Sequence, residues 1–463
     1  MNPPRWVRLF DGLTVAALLL GLFELFFGGF VLGTPPFDLQ LRDPWGPLFV
    51  AGAAAAIRHA AHPNRPLHER IVHLLHVSSG GLAGVVGGAI GTRAAVLIVA
   101  YFAVLLVGTV RPGFQVSGDP LFNLPARYDA GWYADIAIDG YAFQGRFDRQ
   151  QNLAFFPAFP MLMRVAGFVV GADGHGVSDE RRDGRLLWGG TLLSILAFAW
   201  AATYVLRLAT DAGGGERAFD AVALLSAYPF AVFFSAPYSE SLFLLSSVAA
   251  FYYYRRGQWI ASGAWGLVVG LTRPNGCFLS IALALLLLER VRASGWGRGL
   301  AASLAAAAAP GVGMLAYSAY VKHLTGAWFG WAHVQEAWGR SYGGADVVAG
   351  GVSWAANQGL IRVLAARPLD ALNGAALVFV LAMAWPVWRR LGPAWAALIV
   401  VNVLPPLLAG GLMSMGRFTS TIFPVFIALA MVLPKRAMAP TLAVFATAQG
   451  LAAVLFFTWR PLF

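Results

Sequence analysis

The sequence predicts an all-α, polytopic integral membrane protein, and three observations carry that prediction. Of 463 residues, 58% are hydrophobic and only 12% are charged, whereas a soluble domain carries about 25% charged residues. Apolar stretches of roughly 20 residues, the length a helix needs to cross a bilayer, recur along the chain. Between them, Lys and Arg gather in short segments, as they do in cytoplasmic loops. This composition excludes a soluble enzyme, a disordered tail protein and a coiled coil. The net charge of +11, from 33 Lys and Arg against 22 Asp and Glu, then marks cytoplasmic loops and membrane lipids rather than a nucleic-acid partner.

In chain order, the first predicted span runs from Asp11 to Val31. No small-residue cleavage site follows it, so it reads as an uncleaved anchor. A short span from Trp45 to Ile57 and the basic stretch RHAAHPNRPLHER complete an N-terminal extension, residues 1–90. Five of the eight histidines, His59, His62, His68, His73 and His76, lie in this extension. HERIVH is not a zinc-protease helix, because residues five apart sit about 140° from one another. Residues 91–463 form the main domain, beginning with a span from Arg93 to Val110. Ten further spans after residue 185 bring the total to about thirteen. The single cysteine, Cys277, excludes an intramolecular disulfide.

Orientation follows from the basic loops at Arg207 to Arg217, Arg255-Arg256, Glu289 to Arg298, Arg389-Arg390 and Lys435-Arg436. All lie on the cytoplasmic side if Asn152 to Val170 does not cross, and Pro157, Pro160 and Arg164 favour an interfacial helix there. The loops 111–153 and 322–370, and the turns around Glu240, Arg273 and Arg417, then face outward, where positive charge is ordinarily sparse.

Four segments on that face could carry chemistry. In RYDAGWYADIAIDGY, a helix starting at Asp129 places Trp132, Tyr133 and Ile136 on one face, packed on the membrane surface, with the Asp129 carboxylate at a cavity rim. A helix cap explains Asp129 equally well on its own. Asp135 and Asp139 point elsewhere and read as solvated. Glu240, in FSAPYSESLF, is either a helix-start carboxylate or the partner of an active-site arginine or hydroxyl. Arg273 in LTRPNG and Arg417 in SMGRFTSTIFP offer planar forks suited to phosphate oxygens, the alternative being snorkelling to the interface. The loop 322–370 holds Lys322, His323, Trp328, Trp331, His333, Glu336, Trp338 and Arg340, and each tryptophan reads first as an interfacial anchor.

With these residues in view, the chain resembles the PIG-V-like mannosyltransferases, within the GT-C class of polytopic glycosyltransferases. The resemblance rests on Arg127, Asp129, Trp132, Tyr133 and Gly140-Tyr141; on Phe155-Phe156-Pro157 with Pro160 and Arg164; on Pro229, Pro237-Tyr238-Ser239-Glu240 and Leu242-Phe243; and on Arg273-Pro274, Met415, Arg417 and Phe423-Pro424. It covers roughly 93–433. It departs from the family pattern in the N-terminal extension and in Tyr128, where the family often has Trp.

The resemblance implies a GT-C-type helical bundle. It also implies mannose transfer from a polyprenyl-phosphate donor to a lipid- or glycan-linked acceptor, on the extracytoplasmic face of a bacterial inner membrane. Asp129 is then the expected general base, acting by direct displacement, with Arg127, Trp132, Tyr133, Tyr238, Glu240, Arg273 and Arg417 as substrate-binding residues. No DxD triad stands in the first outer loop, so no cofactor or required divalent metal is expected. The rival readings are a flippase or transporter of lipid-linked sugars, and a glycan ligase with a diphosphate-linked donor.

Overall fold

Runs of Leu, Ala, Val and Phe with few breakers fold here as helices, because a helix satisfies its own backbone polar groups where no water is available. The computed structural model describes residues 4–27, 30–32, 39–41, 43–61, 81–174, 176–295, 297, 299–340 and 343–462. Helix α1 (Arg5–Phe27) leads through a small antiparallel hairpin, β1 (Phe30–Leu32) and β2 (Leu39–Leu41), into α2 (Trp45–Ala61). Arg58 closes on Asp11 at 2.9 Å, a buried ion pair joining α2 to α1. Most of the histidine-rich stretch, including HERIVH, lies outside the described residues.

The main bundle begins with α3 (Leu82–Val107), followed by an outer loop carrying α4 (Ala130–Asp139) and by α5 (Ala158–Val169). Next come α6 (Asp179–Ala209), α7 (Ala218–Ala227), α8 (Glu240–Arg255), α9 (Trp259–Thr272), α10 (Leu279–Ser294) and α11 (Leu300–Thr325). Beyond a short helical turn at Gly330–His333 stand α12 (Ala345–Gln358), α13 (Leu360–Ala366), α14 (Pro368–Leu391) and α15 (Pro393–Gly410). The chain continues through α16 (Met415–Thr419), α17 (Phe423–Val432) and α18 (Lys435–Phe457).

Among the described residues, six helical stretches are long and apolar enough to span a membrane: α3, the continuous run through α6 and α7, α11, α14, α15 and α18. The apolar helices α5, α9 and α17 are shorter. At 12 residues, α5 is about 18 Å long, too short to cross. It buries Phe159, Met163 and Gly167 and exposes Val165, Phe168 and Val169, a split suited to the interface. Leu106 on α3, Trp385 on α14 and Val444 on α18 are likewise exposed on the outside of the bundle, which suits lipid rather than water.

The centre is α8, of whose 16 residues all but Tyr253 and Arg255 are buried. Small residues set the tightest crossing. A Cβ on Gly270 of α9 would lie 2.0 Å from the Pro310 carbonyl oxygen of α11, and one on Gly313 would lie 2.4 Å from that of Leu267. Before α8 the chain leaves the α-helix for a buried 3-10 segment, Pro229–Ser235. Its carbonyls need donors at a depth where water is scarce. Arg93 of α3 donates to the carbonyls of Ala231 and Ser226, the latter at 2.5 Å. Gln449 of α18 donates to the carbonyls of Tyr228 and Ser226 at 2.7 and 3.0 Å. The mid-span arginine is thus accounted for by backbone satisfaction.

Candidate active site

The site is built where four chain segments meet at one end of the bundle. The first is the turn before α4. Tyr128 adopts φ 44°, a left-handed conformation that a bulky residue holds only when its surroundings enforce it. Arg127 does so from one side, donating Nε to the Phe457 carbonyl at 2.7 Å and Nη1 to the Asn123 and Ala126 carbonyls at 2.7 Å each. Tyr238 does so from the other. Its hydroxyl donates to the Arg127 carbonyl at 3.1 Å and accepts the Asp129 N–H at 3.0 Å. The Tyr128 ring rests on Trp459 at 4.5 Å and Phe456 at 5.6 Å.

Asp129 occupies the N-cap position of α4, yet its side chain makes no capping hydrogen bond. Instead its Oδ2 accepts Nη1 of Arg417 at 2.5 Å, across 288 residues of sequence. The capping account of this carboxylate therefore fails. Arg417 also donates Nε to Glu240 Oε1, and Arg273 donates Nη2 to that same oxygen. Arg273 Nε reaches Ser239 Oγ at 3.0 Å, and the Tyr133 hydroxyl donates to that Oγ at 2.9 Å. A single network thus runs from Asp129 through Arg417, Glu240 and Arg273 to Ser239 and Tyr133.

Glu240 is fully buried, as the first residue of α8, where the helix dipole favours negative charge. Its Oε2 and Arg273 Nη1 have no hydrogen-bond partner among the described residues. Asp129 keeps 20% of its side chain accessible, against 9% for Arg417 and 7% for Arg273. Burial opposes the charge on Arg417, but the Asp129 carboxylate outweighs it and holds the guanidinium above its ordinary value. Burial lowers Arg273 and Arg127 to about 10, which leaves both charged at neutral pH. Two backbone features deliver Arg417: Ser414 at φ 59°, and Gly416, where a Cβ would fall 2.1 Å from the Phe230 ring.

Asp129, Tyr133, Ser239, Arg273 and Arg417 line one cavity of about 850 Å³. Away from these groups its wall turns apolar, with Phe278, Met314, Pro405, Pro406, Ala409 and Met413; Cys277 also lines it. Phe155, Trp331, Trp338, Gln150, Gln335 and Arg340 close another part of the wall. Such a cavity can hold an anionic head group at its polar part and a hydrocarbon chain along its apolar part. Among the described residues no three His, Cys, Asp or Glu side chains cluster as a metal site.

Of the expected site residues, the structure brings Asp129, Tyr133, Arg273 and Arg417 to the cavity wall. Glu240 stands directly behind it, binding both arginines. Arg127 and Tyr238 are buried behind the turn and shape it, while Trp132 stacks on Phe155 at 6.0 Å. The α4 face with Tyr133 and Ile136 packs into the helical core, beside Phe159 of α5, rather than on the membrane surface. The sequence assigns no site role to Ser239 or Phe418. Ser239 sits inside the PYSE motif, but Phe418, whose ring carries Arg273 at 5.5 Å and Arg340 at 5.6 Å, has no signal beyond adjacency to Arg417.

The family model described as Mannosyltransferase (PIG-V) matches residues 115–290. That stretch contains Asp129, Ser239, Glu240 and Arg273; Arg417 lies beyond it. No curated protein matches the chain.

Proposed function

We propose that this PIG-V-like membrane mannosyltransferase draws mannose from a polyprenyl-phosphate donor and delivers it to a hydroxyl of a lipid- or glycan-linked acceptor, with Asp129 as general base. The observation that carries this reading is the convergence of Asp129, Arg273 and Arg417 on one cavity whose wall is apolar away from them. A sugar phosphodiester already has a good leaving group. What the protein must supply is a proton acceptor for the attacking hydroxyl and positive charge for the departing phosphate.

In the reaction, the acceptor oxygen bonds to the anomeric carbon of mannose, and the bond from that carbon to the phosphate oxygen breaks. The bonding pair leaves with the phosphate, and the hydroxyl proton passes to Asp129. Arg273 and Arg417 receive the growing phosphate charge. At rest Arg417 holds Asp129. A phosphate entering between them competes for that guanidinium and leaves the carboxylate to the hydroxyl. The second carboxylate, Glu240, lies behind the arginines and cannot reach an anomeric carbon in the cavity. A lone accessible base supports single displacement with inversion, not a covalent sugar intermediate.

The extracytoplasmic placement is supported by α8, which starts at Glu240 and ends at Arg255, about 24 Å away along the helix. At that far end, Arg256 pairs with Asp211 at 2.8 Å, so basic loops gather on the side opposite the site.

The test uses purified protein in lipid nanodiscs supplied with labelled polyprenyl-phosphate mannose or with a polyprenyl-diphosphate oligosaccharide. Consumption of the first donor alone is expected, and Asp129→Asn should slow it by about 10²–10⁴-fold. An Asn variant of full activity removes Asp129 from the mechanism, and consumption of the diphosphate donor instead establishes the ligase.

A further inference from the structure

We propose that Phe155 and Trp338 form a stacking subsite for a pyranose ring, beside the charged end of the cavity that holds Asp129, Arg273 and Arg417; this rests on the transferase reading above. Both rings line the cavity. Their centroids are 5.9 Å apart and their planes meet at 81°, so they make a corner. Trp132 backs the corner, stacked on Phe155 with 16° between planes and edge-on to Trp338 at 5.7 Å. The three rings come from α4, from the stretch after Asn152–Ala154, and from the turn Val334–Trp338.

An interfacial anchor has a different setting. Trp385, Trp388 and Trp200 are 66%, 59% and 50% exposed on the outside of helices of the bundle, away from the cavity wall. Trp338 is half-buried, faces the cavity, and is held by two other rings. Trp331, also in the wall, is committed to structure, with its N–H on Ser318 at 2.9 Å and its ring against Phe156 at 5.3 Å.

A pyranose has an apolar face of C–H bonds and a rim of hydroxyls. The C–H bonds are drawn to the negative face of an aromatic ring, and a second ring at right angles fixes the rotation of the sugar on the first. Gln150, Gln335 and Arg340 lie in the same wall and offer partners for the hydroxyl rim. Phe155 in turn touches the Tyr133 ring at 5.2 Å, one helical turn beyond Asp129. A sugar held in this corner therefore sits next to the base and the arginine pair.

The ring can belong to the mannose of the donor or to a sugar of the acceptor. The binding probe is methyl α-mannopyranoside, followed by saturation-transfer NMR on protein in nanodiscs free of glycoside detergent. Saturation of the sugar ring protons is expected. Trp338→Ala should weaken binding about two- to tenfold, Trp338→Phe should restore most of it, and Trp328→Ala, outside the cavity wall, should leave it unchanged. Thermal midpoints of the variants separate lost binding from lost folding. Unchanged binding in both Trp338→Ala and Phe155→Ala, or an equal loss in Trp328→Ala, overturns the subsite. In turnover, a raised KM for polyprenyl-phosphate mannose in Trp338→Ala assigns the corner to the donor sugar. An unchanged donor KM with slower transfer assigns it to the acceptor, and no change in either overturns the proposal. Asp129→Asn should still bind the probe, so failure of the base assignment and failure of the subsite are read separately.

Discussion

Replacing Glu240 by Gln tests the electrostatic joint of the site. Asp129 and Glu240 balance Arg273 and Arg417, so these four groups together carry no net charge. One oxygen of Glu240 binds both guanidiniums, whose side chains are only 7% and 9% exposed. The amide keeps the shape but leaves one surplus positive charge in a nearly water-free position. Breaking a buried ion pair by removing one partner costs about 3–5 kcal/mol, a large part of a native stability of about 5–15 kcal/mol. The thermal midpoint in nanodiscs, followed by tryptophan fluorescence, should therefore fall sharply in Glu240→Gln. The double variant Glu240→Gln, Arg273→Gln returns the cluster to neutrality and should be less destabilised than the sum of the single changes by about 0.5–3 kcal/mol. Additive losses, or a Glu240→Gln protein that melts with the wild type, would refute the view that one buried carboxylate holds the arginine pair together.

The other predictions concern how the chain presents this site. Gly416→Ala drives a methyl into the Phe230 ring, 2.1 Å from its nearest atom, and should cost about 1–3 kcal/mol of stability along with activity; Phe230→Val in the same chain should recover the melting temperature. Arg93→Met leaves the Ala231 carbonyl without its arginine donor while the Ser226 carbonyl keeps Gln449, so the cost should be about the 1–3 kcal/mol of one buried unsatisfied group. Hydrogen exchange should then report faster opening of residues 229–235. Arg273→Lys keeps the charge but cannot bridge Ser239 and Glu240 as the guanidinium does, so donor KM should rise while the protein remains folded.

The fold class was legible because the bilayer imposes length and composition on every span, and both are visible in one sequence. The charged cluster was legible for a related reason. Asp129, Arg273 and Arg417 are charges at the apolar end of a bundle, and a charge there calls for an explanation. What could not be read was the pairing. Whether Asp129 caps a helix or meets a cation depended on Arg417, 288 residues away. Arg127 misled in the opposite direction. The family resemblance implied a substrate contact for it, whereas its three carbonyl partners make it a brace for the backbone. The break at Pro229–Ser235 was hidden because its residues are as apolar as the helices around it; only the donors on α3 and α18 show where the helix stops.

The brace on Arg127 has a bearing on biogenesis. Its Nε partner, the Phe457 carbonyl, is translated 330 residues later, and Val110 N–H likewise waits for the Thr458 carbonyl at 3.0 Å. The turn that carries Asp129 is thus tethered to the end of α18. Early segments can enter the bilayer one after another as they emerge, but the Asp129 turn gains these backbone partners only once α18 has been inserted.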